Sequence, residues 1–144
     1  YLLFLIGEKP LSVYAQSLPN LGRYNNHNVV VSVHFDGGSV GSILYMANGD
    51  KSFPKEKITV FGGGTVAELD DYRSLTLVRG GKTSKSKSRL KQDKGHRAEL
   101  KAFVNALQSD TGAPIPLQEL LWTTRATFMI EKSLRSGKVE GIDK

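Results

Sequence analysis

Few side chains in this 144-residue chain are placed to do chemistry. Lys94 and His96 flank Gly95 where a helical pattern begins, and the free backbone N–H groups of a helix start can hold an anionic or polar ligand group. Histidine is the side-chain type suited to proton transfer at neutral pH, which makes His96 a candidate for it, although an imidazole at a helix start serves a structural role equally well. His34 and Tyr45 lie on the two arms of an expected hairpin. They are read as sharing the face opposite Val31 and Val33, where they line either a substrate surface or an interface. These four are the candidate substrate-binding residues. His27, His34 and His96 stand at no metal-ligand spacing and the chain has no cysteine, so no metal residue is expected and disulfides are excluded.

Two other runs invite a functional reading. Gly62, Gly63, Gly64 and Thr65 offer backbone N–H groups that an anion can approach, but a phosphate cradle needs a helix to follow, and here a strand pattern follows. A hairpin turn is the better reading. From Arg79 to Arg97 the chain carries eight Lys or Arg against the single acid Asp93, whereas the rest has 12 basic and 13 acidic residues. The net charge of +6 is thus one local segment. That segment would attract polyanions in a salt-dependent way, which is the basis of an alternative reading as a non-enzymatic binding module. It has no interleaved aromatics to stack on bases, and lysines also protect exposed sheet edges from aggregation, so nucleic acid is not expected as a partner.

The elements that must position these residues follow from periodicity. Tyr1 to Ile6 reads as the last turns of a helix capped by Gly7. Alternating residues mark strands at 11–16, 29–35, 40–47, 56–61, 66–69 and 74–79, with Asp36 to Ser39 as a hairpin turn. The stretch 82–91 alternates Ser84, Ser86 and Ser88 with Lys85, Lys87 and Arg89, and fits an edge strand or a loop. From Asp93, a fitting N-cap, the period changes: Leu100, Phe103, Val104 and Leu107 fall at helical spacing. A second helix is expected from Pro116 to Gly137, apolar enough on its surface to be buried on two sides, followed by a tail that frays. The expectation is an α+β fold in which an open, mainly antiparallel sheet of about six or seven strands carries two C-terminal helices packed on one face. At this length residues 1–144 read as a single domain. The apolar run at the start is far shorter than the roughly 20 residues a membrane helix needs.

The stretches Phe4 to Ala15, Phe35 to Ile43, Pro54 to Gly62 and Glu68 to Asp71, with the helical parts 93–107, 114–120 and 131–134, resemble the C-terminal domain of the Gfo/Idh/MocA oxidoreductase family. The resemblance is greatest to two-part members whose family domain follows a zinc-type alcohol dehydrogenase domain. It spans about 130 residues, and its weight lies in the order and spacing of motifs that are weak singly.

The resemblance implies an upstream Rossmann domain that this chain lacks, NAD or NADP bound mainly by that domain in the full-length protein, and hydride transfer on a sugar, polyol or sugar-nucleotide hydroxyl. It implies catalytic residues that precede Tyr1, so none is assigned here. It leaves this chain the substrate-binding and oligomerisation role, inactive alone, as a homo-oligomer through the sheet face and in the cytoplasm; a purely structural dimerisation domain is the other alternative. Gly7, Glu8, Lys9 and Pro10 mimic an element of the family's cofactor domain, but no strand-helix-strand unit precedes them, and they match instead the entry into the second domain.

Overall fold

The computed structural model describes residues 1–19, 26–88, 92–109 and 111–142. Its elements, in chain order, are α1 (Leu2–Ile6), β1 (Pro10–Ser17), β2 (Asn28–Phe35), β3 (Val40–Met46), β4 (Lys57–Gly62), β5 (Thr65–Asp70), β6 (Ser74–Arg79), β7 (Lys82–Lys87), α2 (His96–Ser109), α3 (Leu117–Ser136) and β8 (Glu140–Gly141). The fold is α+β and antiparallel with two helices near the C-terminus, as the patterning predicts. The strands differ from expectation in arrangement: among the described residues there are eight, divided into two sheets of four ordered β3-β2-β1-β8 and β4-β5-β6-β7. Contacts gather the chain into two compact units, residues 1–49 with 113–144 and residues 50–112.

In the first unit the alternation of β1 and β2 sends Val13, Ala15, Val29, Val31, Val33 and Phe35 to one face, and all six are buried. On α3, Ala126, Met129, Ile130, Ser133 and Leu134 form a stripe at helical spacing that packs on this face, and Leu2, Leu3 and Ile6 of α1 close it from the other end. Gly7 caps α1 in the left-handed region (φ 72) and Gly137 does the same for α3 (φ 66). Gly41 has a packing reason to lack a side chain: a Cβ there would sit 2.7 Å from a methyl of Leu2.

Two expectations about the C-terminal region are corrected. The tail does not fray through residue 142: Glu140 and Gly141 pair with Val13 and Ser12, and Ile142 is 1% exposed in the core, while residues 143–144 lie outside the described part. Nor is α3 buried on two sides. Leu117, Leu120, Leu121 and Phe128 are exposed, because within the described residues of its unit only the sheet face and α1 offer apolar surface.

β8 is too short to pair the whole edge of β1, and the gap is closed by one side chain. Ser133, fully buried, accepts a hydrogen bond from the Ala15 backbone N–H (2.9 Å) and donates one to the Lys138 carbonyl (2.6 Å). Its own carbonyl accepts from the Gly137 N–H.

The second unit is a meander of three hairpins. Ile58, Val60, Ala67, Leu69, Leu75 and Leu77 share one face by register; Lys57, Thr59, Glu68, Asp70, Ser74 and Thr76 share the other. β7 is an edge strand with every residue exposed, which decides between the strand and loop readings for 82–87; Arg89, Leu90 and Lys91 lie outside the described residues. The apolar stripe of α2 is exposed at Leu100, Phe103, Val104 and Leu107. No helix among the described residues is long and apolar enough to cross a membrane.

Ser133→Ala leaves the Ala15 N–H buried without an acceptor and is expected to cost about 1–3 kcal/mol in urea unfolding. A second prediction concerns pH. The Glu140 carboxyl is held below its ordinary 4.5 by hydrogen bonds first from Lys132 and then from Ser136. A depressed folded-state value stabilises above 4.5 and is lost as pH falls through the folded value, so thermal melts between pH 7 and 3 are expected to show a shallower acid decline for Glu140→Gln than for the parent chain.

Candidate functional site

The most developed polar constellation sits in the second unit, where three stretches distant in sequence meet: the loop before β4, the β5–β6 connection, and the approach to α2. All three hairpin connections of this sheet place two consecutive residues at positive φ. Two use glycine pairs, Gly63 with Gly64 and Gly80 with Gly81. The β5–β6 connection uses Asp71 (φ 48) and Tyr72 (φ 53), which carry side chains into a conformation that costs non-glycine residues energy. Their side chains are therefore what distinguishes this connection.

Asp71 holds the site together. Its N–H donates to the Glu56 carbonyl (2.7 Å), and its carboxylate accepts from Gln92 Nε2 (2.8 Å) and pairs with Arg73 Nε (3.2 Å). Gln92 Nε2 also donates to the Asp71 carbonyl (2.9 Å). Lys94 Nζ pairs with Glu56 Oε1 at 2.6 Å and lies 6.0 Å from the centre of the Tyr72 ring. The other Glu56 oxygen, Oε2, is shielded from solvent and has no hydrogen-bond donor among the described residues. In the adjoining loop, Asp50 accepts from the Ser52 hydroxyl (2.7 Å) and N–H (2.8 Å), and these bonds lower its carboxyl from the ordinary range. An open cavity of about 450 Å³ lies among Lys51–Glu56, Asp70, Asp71, Arg73, Gln92 and Lys94.

Of the four candidates from sequence, Lys94 and His96 belong to the second unit and His34 and Tyr45 to the first. Lys94 lines the cavity. His96, the first residue of α2, is exposed and is not part of the cavity wall; Asp93 lies ahead of the helix rather than capping it directly, its carboxylate accepting from the Gly95 N–H (2.8 Å). His34 and Tyr45 belong to the first unit. The register pairs His34 with Val40 and Tyr45 with Val29, so Tyr45 points to the side of Val31 and Val33 and His34 to the opposite side. The shared face expected for the two is corrected: the hairpin pairs residues whose numbers sum to 74, so an even-numbered and an odd-numbered residue face opposite ways. Both are exposed.

The two decoy motifs are resolved by geometry. Gly63 and Gly64 turn β4 into β5, so this run meets no helix and offers no dinucleotide site. Gly7 to Lys9 join α1 to β1, and the Glu8 carboxylate accepts from the Gly37 N–H (3.1 Å) and the Ser39 hydroxyl (3.4 Å) of the β2–β3 hairpin. Among the described residues no group of three His, Asp or Glu side chains is arranged to hold a metal.

No protein-family model matches the chain, and no curated protein sequence matches it. Solved structures do. An NAD binding oxidoreductase from Klebsiella pneumoniae matches with a TM-score of 0.80 at 17% identity over 99% of this chain and 47% of its own. The fold is one found in oxidoreductases. An aldose-aldose oxidoreductase from Caulobacter crescentus, complexed with glycerol, matches at 0.78 and 15% identity over 96% of this chain and 43% of its own. A UDP-N-acetylglucosamine 3-dehydrogenase from Acidithiobacillus ferrooxidans matches at 0.77 and 14% identity over 93% and 43%. The chain thus spans less than half the length of these structures.

The Glu56–Lys94 pair is about one-third exposed on each side, so its worth is modest. Lys94→Met is expected to cost about 1 kcal/mol, and in a double-mutant cycle Glu56→Gln with Lys94→Met should cost less than the sum of the single changes.

Proposed function

We propose that this chain is the substrate-side and oligomerisation part of an NAD(P)-dependent oxidoreductase of the Gfo/Idh/MocA type, acting on a hydroxyl of a sugar, polyol or sugar nucleotide. The observation that carries the proposal is the asymmetry of coverage: nearly all of this chain, and under half of each neighbour, enters the match. The neighbours' own names supply the substrate class, an aldose in one and a UDP-linked sugar in another. The Gly-rich run at 62–64 lies in a β-hairpin rather than at a helix start, so the residues described here do not fit a dinucleotide, and in this reading NAD or NADP is held by a Rossmann domain elsewhere in the protein. This chain then contributes binding groups, with Lys94 and its cavity as the leading candidates and His96, His34 and Tyr45 as further ones.

The oligomerisation role is supported by the uncovered face of the first sheet. Val30, Val40, Leu44 and Met46 are exposed on the side away from α3, together with His34. The polyanion reading gains less: the β7 lysines stand on an edge strand, where they also serve to block edge-to-edge pairing.

The 144-residue chain alone is expected to show no dehydrogenase turnover and no nicotinamide binding tighter than millimolar, while sedimentation shows self-association. A micromolar NADH site seen by fluorescence on this chain would overturn the division of labour, and a strictly monomeric chain would overturn the oligomerisation role.

A further inference from the structure

Among the described strands only β7 is exposed at every residue, and it ends the β4-β5-β6-β7 sheet. The Ser88 N–H donates to the Arg73 carbonyl (2.8 Å), and the register pairs Lys87 with Ser74, Lys85 with Thr76 and Thr83 with Val78. Even-numbered residues of this strand therefore turn their backbone toward β6, while Thr83, Lys85 and Lys87 turn theirs outward. These outward N–H and C=O groups have no partner among the described residues, and they repeat about every 6.8 Å, the spacing that an added strand matches. The side chains divide by the same alternation. On one face Lys85 and Lys87 stand beside Ser74 and Thr76 of β6, and neither is in an ion pair with a described residue. On the other face the short Ser84 and Ser86 lie next to Leu77 and Leu75, which are 39% and 38% exposed. The apolar face of the sheet thus stops one strand short of its edge, and its last row is open to a large side chain reaching over the serines.

We propose that β7 is a docking edge for an extended polypeptide segment in which acidic and large apolar residues alternate. The segment adds a strand to the sheet through the outward backbone groups. Its acids stand opposite Lys85 and Lys87, with about 5 Å between Cβ atoms, and its apolar residues cross Ser84 and Ser86 to meet Leu77 and Leu75. Two features select this partner. The backbone row calls for donors and acceptors in alternation, which a nucleic acid or a small anion does not offer. The division of lysines and serines between the faces calls for acids at every second residue, which a continuous acidic run does not match. A second copy of β7 is disfavoured, because lysine opposite lysine repels. The inference rests on this strand alone and holds whether or not the oxidoreductase reading does.

The test is a titration of the ¹⁵N-labelled 144-residue chain with the peptide acetyl-SEFEVDS-amide, read by amide shifts and by solvent exchange of the amide protons. Saturable shifts centred on 82–87 are expected, with exchange at Thr83, Lys85 and Lys87 slowed by about tenfold or more as their N–H groups gain acceptors. The peptide acetyl-SFVEEDS-amide, of equal composition without the alternation, is expected to bind about tenfold more weakly. The double variant Lys85→Glu, Lys87→Glu is expected to lose the acidic peptide and to bind acetyl-SKFKVKS-amide in its place. Thr83→Pro keeps both lysines and removes no bond to β6, since that N–H points outward, and is expected to weaken the acidic peptide about tenfold. The proposal is overturned by the absence of saturable shifts up to about 2 mM peptide, by equal binding of the rearranged peptide, by unslowed exchange at the three amides, by an oligothymidylate that binds 82–87 as tightly, or by parent-like binding in Thr83→Pro.

Discussion

The first unit depends on how the outer edge of β1 is satisfied. A strand that ends a sheet exposes a row of N–H and C=O groups, and burying such a row under a helix requires a partner for every one. β8 supplies partners only at Ser12 and Val13, with the Ile142 N–H reaching the Leu11 carbonyl. Beyond it, Ala15 lies under α3, where water has no access, and the Ser133 hydroxyl takes the place of the missing strand. Because the same hydroxyl donates to the Lys138 carbonyl, it also fixes the turn that aims the chain from α3 back into β8. Sheet, helix and return strand are thus tied at one buried atom beside the valine face that α3 covers.

The second unit follows another constraint, the twist of tight hairpins, two with two-residue turns (63–64 and 80–81) and one with a three-residue turn (71–73). Turns whose central residues both sit at positive φ match the twist of the strands they join, and glycine meets that demand cheaply. Gly63 with Gly64 and Gly80 with Gly81 do so. Asp71 and Tyr72 do not, and the strain at that connection is offset by what their side chains and backbone reach: the Glu56 carbonyl, Gln92, Arg73 and the neighbourhood of Lys94. The polar constellation therefore exists because one of the three turns, the longer one, was built from residues with side chains.

Much of this was legible in the sequence where a rule of local periodicity applied. β1, β2, β3, β4, β5 and β6 fall where alternation places them, and α2 and α3 where the period becomes helical. What local pattern could not carry is partnership. Two residues at 140–141 have no periodicity to read, yet they pair with β1 and bring Ile142 into the core. The face of Tyr45 depends on the length of the 36–39 turn, and a one-residue error there reverses every side chain on β3. For the site, Lys94 was visible because it precedes a helix start. Glu56, Asp71, Gln92 and Phe53 were not, since their common feature is a meeting of segments 15 to 38 residues apart that only the hairpin stacking creates.

The uncovered apolar surfaces bear on function through the same accounting of partners. α2 shows Leu100, Phe103, Val104 and Leu107 to solvent, α3 shows Leu117, Leu121 and Phe128, and the open side of the first sheet shows Val30, Leu44 and Met46. Single exposed hydrophobic residues are ordinary, but three ordered stripes, each on a regular element with the correct period for burial, are surfaces shaped for contact. Their sum exceeds the buried core of the described residues, which seven hydrophobic residues form. A chain with so small an internal core among its described residues and so much patterned apolar surface gains from partners that cover it.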